Sequence, residues 1–128
     1  MNMETNEIAE KIISIPVVLN DGSDITSHSV LRDTGYFESP SSITVKILAK
    51  ALGKKPEYID SWLNWSDNKR TVAGWYFIRT KSGTFEVGFF PKHDGPDPIE
   101  YSEILQACAN FIKHEIEDIR TSSQYEVG

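Results

Sequence analysis

Residues 73–90 read AGWYFIRTKSGTFEVGFF, and the rest of the chain must fold around the two strands that they predict. Both of its halves are rich in aromatic and β-branched residues, which favour β-strands. Ser82 and Gly83 separate the halves and predict a two-residue hairpin turn, which places Arg79 opposite Glu86. This register puts four side chains on one apolar face: Tyr76, Ile78, Val87 and Phe89. Because the opposite face also carries aromatic rings, both faces of the predicted hairpin require cover.

Apolar residues at helical spacing predict four helices before this hairpin. We expect these helices to begin near residue 6, at Asp24 or Ser27, at Ser41 or Ser42, and at Pro56. Pro16 ends the first helix, and Gly35 and Gly53 are placed to end the second and the third. The amino-terminal half of the chain is therefore predicted to be helical.

The residues after the hairpin predict a polar loop over 92–98 and then a long helix. Asp97 and Pro98 are of the types that begin helices, as a cap and as a first-turn proline. The last helix carries an apolar stripe: Tyr101, Ile104, Leu105, Cys108, Phe111, Ile112, Ile116 and Ile119. The sequence therefore predicts a single α+β domain over residues 1–128, with several N-terminal helices, an antiparallel β-hairpin or small sheet, and a long C-terminal helix.

The charge of the chain restricts its partners. Its 128 residues carry a formal net charge of -6, with a pI near 5.0. Proteins that bind nucleic acids or anionic membranes need a surplus of lysine and arginine, so we expect neither partner. The net charge is -5, +5 and -6 over residues 1–42, 43–92 and 93–128. This pattern fits acidic ends folded against a basic middle, an acidic surface presented to a partner, or charges dispersed over a solvated surface.

Three features favour a soluble protein of the reducing cytoplasm. Cys108 is the single cysteine, and its place on the apolar stripe indicates a buried residue rather than a nucleophile. Glu4, Glu7 and Glu10 give the amino terminus the opposite charge to a secretory signal. The longest apolar stretch also falls far short of the roughly 20 residues that cross a bilayer. We therefore expect a cytoplasmic protein.

Residues of catalytic type are too scattered to indicate an active site. His28, His93 and His114 lack the spacing that places two imidazoles on one metal ion, and we expect each at the surface. His93, beside Asp94, is the best candidate for a general base. The sequence contains no glycine-rich phosphate motif and no nucleophile elbow. We expect no catalysis, no metal and no cofactor.

Residues 47–59 have the pattern of a helix-turn-helix, with Ala49 where the helices cross and Gly53 in the turn. The second helix offers Glu57 and Asp60 where contacts to phosphates and bases require Arg, Lys, Asn or Gln. We therefore interpret this segment as a helical hairpin packed into the fold. A small helix-turn-helix DNA-binding regulator remains the alternative function.

Residues 62–71, WLNWSDNKRT, combine two tryptophans with charges of both signs. Trp, Tyr and Arg are enriched at binding hot spots, so this segment is a candidate protein interface. The alternative is structural, with the tryptophans in the core and the basic residues capping a helix. We favour the core for Trp62 and Trp75. Three residues remain candidate interface contacts: Trp65, Asp67 and Arg70.

Four segments are distinctive when taken together: LRDTGYFE at 31–38, IDSWL at 59–63, WSDNKRT at 65–71 and GWYF at 74–77. They resemble the immunity proteins of bacterial contact-dependent growth inhibition systems. The resemblance implies a small cytosolic protein that binds the toxic carboxyl-terminal domain of a sibling cell's effector, often a nuclease, and blocks it. Such families vary their binding surface from pair to pair, so the resemblance implies no contact residues.

A nuclease toxin has a positive cleft for phosphates, and an acidic inhibitor is expected to bind that cleft by complementary charge. The candidate contacts are acids of the loop and helix start: Asp94, Asp97, Glu100 and Glu103. The acids of residues 115–118 are further candidates. An alternative patch consists of Glu57, Asp60 and Asp67.

Overall fold

The computed structural model describes residues 3–19, 26–68, 74–91 and 95–121. The helices of these residues are α1 (Met3–Ile13), α2 (Ile15–Leu19), α3 (Ser27–Asp33), α4 (Val45–Lys54), α5 (Glu57–Asn68) and α6 (Ile104–Thr121). The strands are β1 (Gly74–Arg79), β2 (Phe85–Phe90) and β3 (Ile99–Tyr101), which form an antiparallel sheet in the order β1-β2-β3. The predicted α+β class, with N-terminal helices, a small antiparallel sheet and a long C-terminal helix, is confirmed.

Local capping chemistry sets the ends of α3. Thr26 caps its start through a capping box, in which the Thr26 side chain and the Ser29 side chain each accept from the other residue's backbone N–H. The sequence favoured Ser27 or Asp24 as the cap; Asp24 lies outside the described residues. Gly35 follows the helix with φ of 95°, so the prediction that it takes a positive φ is confirmed.

The start of α4 differs from the prediction. Thr44 is the cap, because its side chain accepts from the Ile47 N–H at 3.2 Å, and the helix begins at Val45. The prediction of a start at Ser41 or Ser42 was wrong. Those residues belong to a 3-10 turn, Pro40–Ser42, that precedes the helix.

The hairpin turn is longer by one residue than predicted. The Thr80 N–H donates to the Thr84 carbonyl at 2.9 Å, and the Gly83 N–H donates to the Thr80 carbonyl at 3.2 Å. The loop is therefore residues 81–83, with Gly83 at φ 88°. A three-residue hairpin loop that ends in a left-handed glycine is a common solution, and it replaces the predicted two-residue turn.

This longer loop shifts the register of β1 against β2 by one residue, so each β1 side chain lies, relative to β2, on the opposite face from the one predicted. Phe77 pairs with Val87, and both are buried on the inner face. Ile78 pairs with Glu86, so the predicted pair of Arg79 with Glu86 was wrong. The predicted apolar face, which joined residues 76 and 78 to residues 87 and 89, was wrong for the same reason.

The third strand forms where the sequence predicted the start of the last helix. Ile99–Tyr101 pairs with residues 85–87 of β2. α6 begins at Ile104, and the prediction that Asp97 and Pro98 begin this helix was wrong. Pairing satisfies the backbone groups on the second edge of β2, and this tertiary gain outweighs the local helix signal.

The core is centred on α6, which crosses the inner face of the sheet. The Phe111 ring lies 6.0 Å from the Trp62 ring and 5.7 Å from the Phe77 ring, measured between centroids. Trp62 is fully buried and its Nε1 donates to the Ile13 carbonyl at 2.9 Å. Cys108 is also fully buried. The core interpretations of Trp62 and Cys108 are confirmed.

The two edges of the sheet differ. The edge of β1 lies against α5, where the Phe77 N–H donates to the buried Ser66 Oγ at 2.8 Å. The other edge is β3, with Ile99 55% exposed. α5 and β3 therefore lie at opposite edges of the sheet.

Candidate partner-binding surface

The first predicted acidic patch lies on the exposed side of α5. Glu57, Asp60 and Asp67 are all exposed, and their spacing places them along one side of the helix. The Asp60 carboxylate lies 4.0 Å from the Arg79 guanidinium, and both side chains are more than half exposed. An exposed pair of this length contributes little to stability. The α5 patch of Glu57, Asp60 and Asp67 is therefore exposed to solvent.

The second predicted acidic patch surrounds β3. Asp97, Glu100 and Glu103 are all exposed. Asp94, which was predicted with them, and Arg70, which was predicted with the α5 patch, lie outside the described residues. Because α5 packs on β1 and β3 is the opposite edge, the structure keeps the two acidic patches apart.

Trp65 is tied to the protein interior. Its Nε1 donates to the Glu115 carboxylate at 2.8 Å, and its ring lies 5.6 Å from the Trp62 ring between centroids. Glu115 is only 3% exposed. The suggestion that the acids of residues 115–118 face a partner was therefore wrong for Glu115. Trp65 itself is half-buried, so only part of its surface is accessible.

The neighbouring Glu117 is engaged within the fold, whereas Asp118 is exposed. Tyr36 Oη donates to the Glu117 carboxylate, and Arg120 donates to it at 2.9 and 2.8 Å. The hydrogen bonds from Arg120, followed by that from Tyr36, lower the pKa of Glu117 against the opposing effect of burial. Of the acids on this part of α6, Asp118 alone therefore points to solvent without such partners.

The sheet has an outer face that the sequence analysis missed. We define the outer sheet face as the side of the strands opposite α6, formed by Tyr76, Ile78, Glu86, Phe90 and Glu100. Ile78 is 41% exposed and Phe90 is 47% exposed. The even-numbered residues 76 and 78 on β1 and 86, 88 and 90 on β2 form this face. The predicted two-residue turn had placed the β1 set and the β2 set on opposite faces of the hairpin.

Tyr76 lies flat across the outer sheet face. A Cβ atom placed on Gly88 would lie 2.5 Å from Tyr76 Oη and 2.7 Å from its Cζ, so the ring occupies the space that the glycine leaves open. Tyr76 Oη donates to the Glu86 carboxylate at 2.5 Å. Burial, together with this hydrogen bond and the nearby negative charge, raises the pKa of Tyr76 to about 12. Tyr76 therefore stays protonated and Glu86 keeps its donor at neutral pH.

Two acidic residues stand opposite each other on neighbouring strands of the same face. Glu86 on β2 pairs directly with Glu100 on β3. Glu100 accepts a hydrogen bond from Thr84 Oγ1. Among the described residues, no lysine or arginine forms an ion pair with either carboxylate. The outer sheet face therefore combines exposed apolar side chains with two adjacent negative charges.

The residues of catalytic type do not form a cluster. The His114 ring stacks on the Trp75 ring, with centroids 3.8 Å apart, and burial lowers its pKa. The expectation that His114 lies at the surface was therefore wrong, since it is half-buried. His28 lies against Phe37, and His93 is outside the described residues. Within the described ranges no group of His, Cys, Asp and Glu is arranged to hold a metal ion.

A half-open groove of about 640 Å³ lies between α1, α4 and the start of α6. Lys46 and Lys50 lie at this groove, and Ile47 and Leu105 give it apolar lining. The lysines belong to the helix that the sequence analysis compared with the first helix of a DNA-binding pair. The next helix, α5, shows the acidic patch to solvent, which is unfavourable for contact with phosphates.

In the portion of the chain that is described, no helix is long and apolar enough to span a membrane. Comparison with known proteins finds no relative, since no protein family, curated protein or solved structure matches the chain.

Proposed function

We propose that this chain is an immunity protein, which binds the toxic domain of a bacterial effector in the cytoplasm and blocks its active site. The expected toxin is a nuclease with a basic substrate cleft. The interaction is between proteins, and the chain itself makes and breaks no covalent bond.

The observation that carries this proposal is the outward display of acidic side chains on a well-packed scaffold. The described contact acids predicted on α5 and around β3 are all exposed: Glu57, Asp60, Asp67, Asp97, Glu100 and Glu103. They stand on α5, which packs on the core through Trp62, and around β3, which pairs with β2 beside the buried Val87. Acidic groups held by a rigid framework lose little conformational entropy on binding.

Complementary charge explains how such a protein binds the toxin quickly enough to protect the cell. A basic cleft and an acidic inhibitor attract each other over about one Debye length, roughly 8 Å at physiological salt. This attraction raises the association rate, so the inhibitor captures the toxin before it meets its substrate. The bound inhibitor then excludes the substrate sterically and occupies the charges that would hold its phosphates.

A kin-competition experiment tests this proposal. The gene is deleted, and the deleted strain is grown in contact with its unmodified parent. We expect the parent to inhibit the deleted strain, and a plasmid that encodes this chain to restore its growth. If the deleted strain grows beside its parent as well as the parent grows alone, the proposal is wrong.

A helix-turn-helix regulator remains the alternative, and Lys46, Lys50 and Lys54 on the exposed side of α4 are the observation that favours it. This function requires salt-dependent binding to duplex DNA. Substitution of Lys50, Lys54 and Lys55 by Gln together would then abolish DNA binding. An immunity protein is expected to retain toxin binding after the same substitutions.

A further inference from the structure

The outer sheet face carries exposed apolar side chains that the fold does not use for its core. Ile78 and Phe90 stand on different strands, and Tyr76 lies flat between them over Gly88. A flat aromatic ring flanked by aliphatic and aromatic groups presents apolar area with little conformational freedom. Such surfaces are characteristic of the centres of protein interfaces.

The same face carries a pair of like charges that is unfavourable in the free protein. Glu86 and Glu100 are direct cross-strand partners, and like charges in this position destabilise a sheet. No described lysine or arginine neutralises either carboxylate. A cation placed between the two carboxylates would relieve their repulsion, and the Tyr76 ring, whose Oη already contacts Glu86, would favour a guanidinium over other cations.

We propose that the outer sheet face is the surface that binds the toxin, and that it receives a cationic segment of the toxin whose arginine or lysine side chains are flanked by apolar residues. The apolar side chains of this segment cover Ile78 and Phe90, and its cation lies between Glu86 and Glu100. This inference rests on the proposed function and adds the location and chemistry of its interface. The acidic residues Asp97 and Glu103 then lie beside the interface near β3.

The test measures the affinity of variants for a catalytically inactive form of the toxic carboxyl-terminal domain of the effector encoded next to this gene. Glu100→Gln removes one negative charge but keeps an acceptor for Thr84, and Glu100→Lys reverses the charge. Ile78→Ser and Phe90→Ser each remove exposed apolar area. We expect Glu100→Lys and Phe90→Ser to weaken binding roughly tenfold or more, and Glu100→Gln to weaken it less.

Matched variants elsewhere control for net charge and for exposed apolar area. Glu10→Lys makes the same charge change as Glu100→Lys on the exposed side of α1, and Val17→Ser removes an exposed apolar side chain of α2. We expect both controls to bind within about twofold of the unmodified chain, since rim and distant sites contribute little to affinity.

Stability measurements keep loss of binding separate from loss of folding. Glu100→Gln removes the repulsion from Glu86, so its melting temperature is expected to equal or exceed that of the unmodified chain. A variant that is at least as stable and yet binds more weakly shows that Glu100 serves the interface rather than the fold.

The two proposals fail in different ways. If the unmodified chain neither binds the toxin domain nor protects the deleted strain, both the proposed function and the proposed interface are wrong. If the unmodified chain binds and protects, but the Glu100, Ile78 and Phe90 variants bind as well as the controls, only the assignment of the interface to the outer sheet face is wrong. The α5 patch would then be the next surface to vary.

Discussion

Glu117 joins two parts of the fold at the level of single side chains. It accepts hydrogen bonds from Tyr36 and from Arg120, and Lys113 Nζ donates to Tyr36 Oη at 2.9 Å and to the Pro40 carbonyl at 3.0 Å. These contacts connect α6 to the turns between α3 and α4. They hold the pKa of Glu117 below its ordinary value of 4.5.

This lowered pKa predicts the direction of an acid effect. A carboxyl whose folded pKa is depressed stabilises the protein above its ordinary pKa, and this contribution is lost as the pH falls below about 4.5 through the folded value. We therefore expect Glu117→Gln to reduce the loss of stability between about pH 5 and about pH 3. Urea denaturation midpoints across this range measure it, and an identical acid decline in both proteins would contradict the assignment.

Trp65 offers a second prediction at a single residue. Trp65→Phe keeps most of the aromatic contact with Trp62 but removes the indole donor to the buried Glu115 carboxylate. Loss of a donor to a buried acceptor costs about 1–3 kcal/mol in the free energy of unfolding. Guanidinium denaturation measures this cost. The loss is expected to be smaller in a Glu115→Gln background, where the acceptor carries no charge, and an equal loss would show that the hydrogen bond is not its source.

At the level of elements, two glycines predict opposite outcomes for the same substitution. At Gly88 on β2 an added Cβ would lie 2.5 Å from Tyr76 Oη and 3.0 Å from Pro98 Cβ. At Gly53 on α4 nothing lies within 4 Å of the added atom, and the residue is in a helix. At Gly88 an added methyl group would clash with its neighbours. At Gly53 it would meet nothing, so only the helix propensity of the residue changes.

Gly88→Ala is expected to lower the free energy of unfolding by about 1–3 kcal/mol, because Tyr76 must leave its place and its hydrogen bond to Glu86. Gly53→Ala is expected to raise it by roughly 0.5–1 kcal/mol. Thermal or urea unfolding of the two variants side by side tests both signs. A stabilising Gly88→Ala would show that the ring is not held against the glycine.

The elements that the sequence predicted are those with a long local signal. From Ile104 onward the apolar stripe of α6 follows from helical periodicity alone, as does the buried position of Cys108, and both are confirmed. Tyr101, which was predicted on the same stripe, lies in β3 instead. The positive φ of Gly35 follows equally from local sequence. In each case neighbouring residues decide the structure, so no knowledge of the tertiary fold is needed.

The features that were missed depend on contacts between distant residues. The turn 81–83 contains one residue more than the shortest hairpin turn, and that difference moves the β1 side chains to the opposite face relative to those of β2. β3 has three residues, too few to show alternation, and it forms because β2 has a free edge. The outer sheet face was missed because the wrong turn length misplaced its β1 residues and the unpredicted β3 contributes Glu100 to it.

At the scale of the whole molecule, the acidic and basic thirds of the chain do not neutralise each other through ion pairs among the described residues. The pairs join Arg32 with Asp33, Arg79 with Asp60, and Arg120 with Glu117, and each pair lies within one third. None of these three pairs joins an acidic end of the chain to its basic middle. The sequence predicts that the acids of the α5 patch and those around β3 are exposed, because they are polar. Only the fold shows that the two groups lie at opposite edges of the sheet.

Charge on this scale predicts a salt effect on the toxin complex. Raising the salt concentration from about 0.05 M to about 0.5 M shortens the Debye length to a few Å, so association is expected to slow by roughly tenfold or more. Dissociation is expected to change less, because the contacts at the centre of the interface exclude water. Stopped-flow mixing gives both rates, and an association rate that does not respond to salt would contradict steering by charge.

The central claim is that the chain inhibits by occupying the toxin rather than by acting on it. Titration of the purified chain into the active toxin domain, with the toxin's own activity as the readout, tests this claim most directly. We expect inhibition to rise linearly and to be complete at a fixed molar ratio of the two proteins. Complete inactivation by a small catalytic fraction of the chain, or full toxin activity in the presence of excess chain, would contradict it.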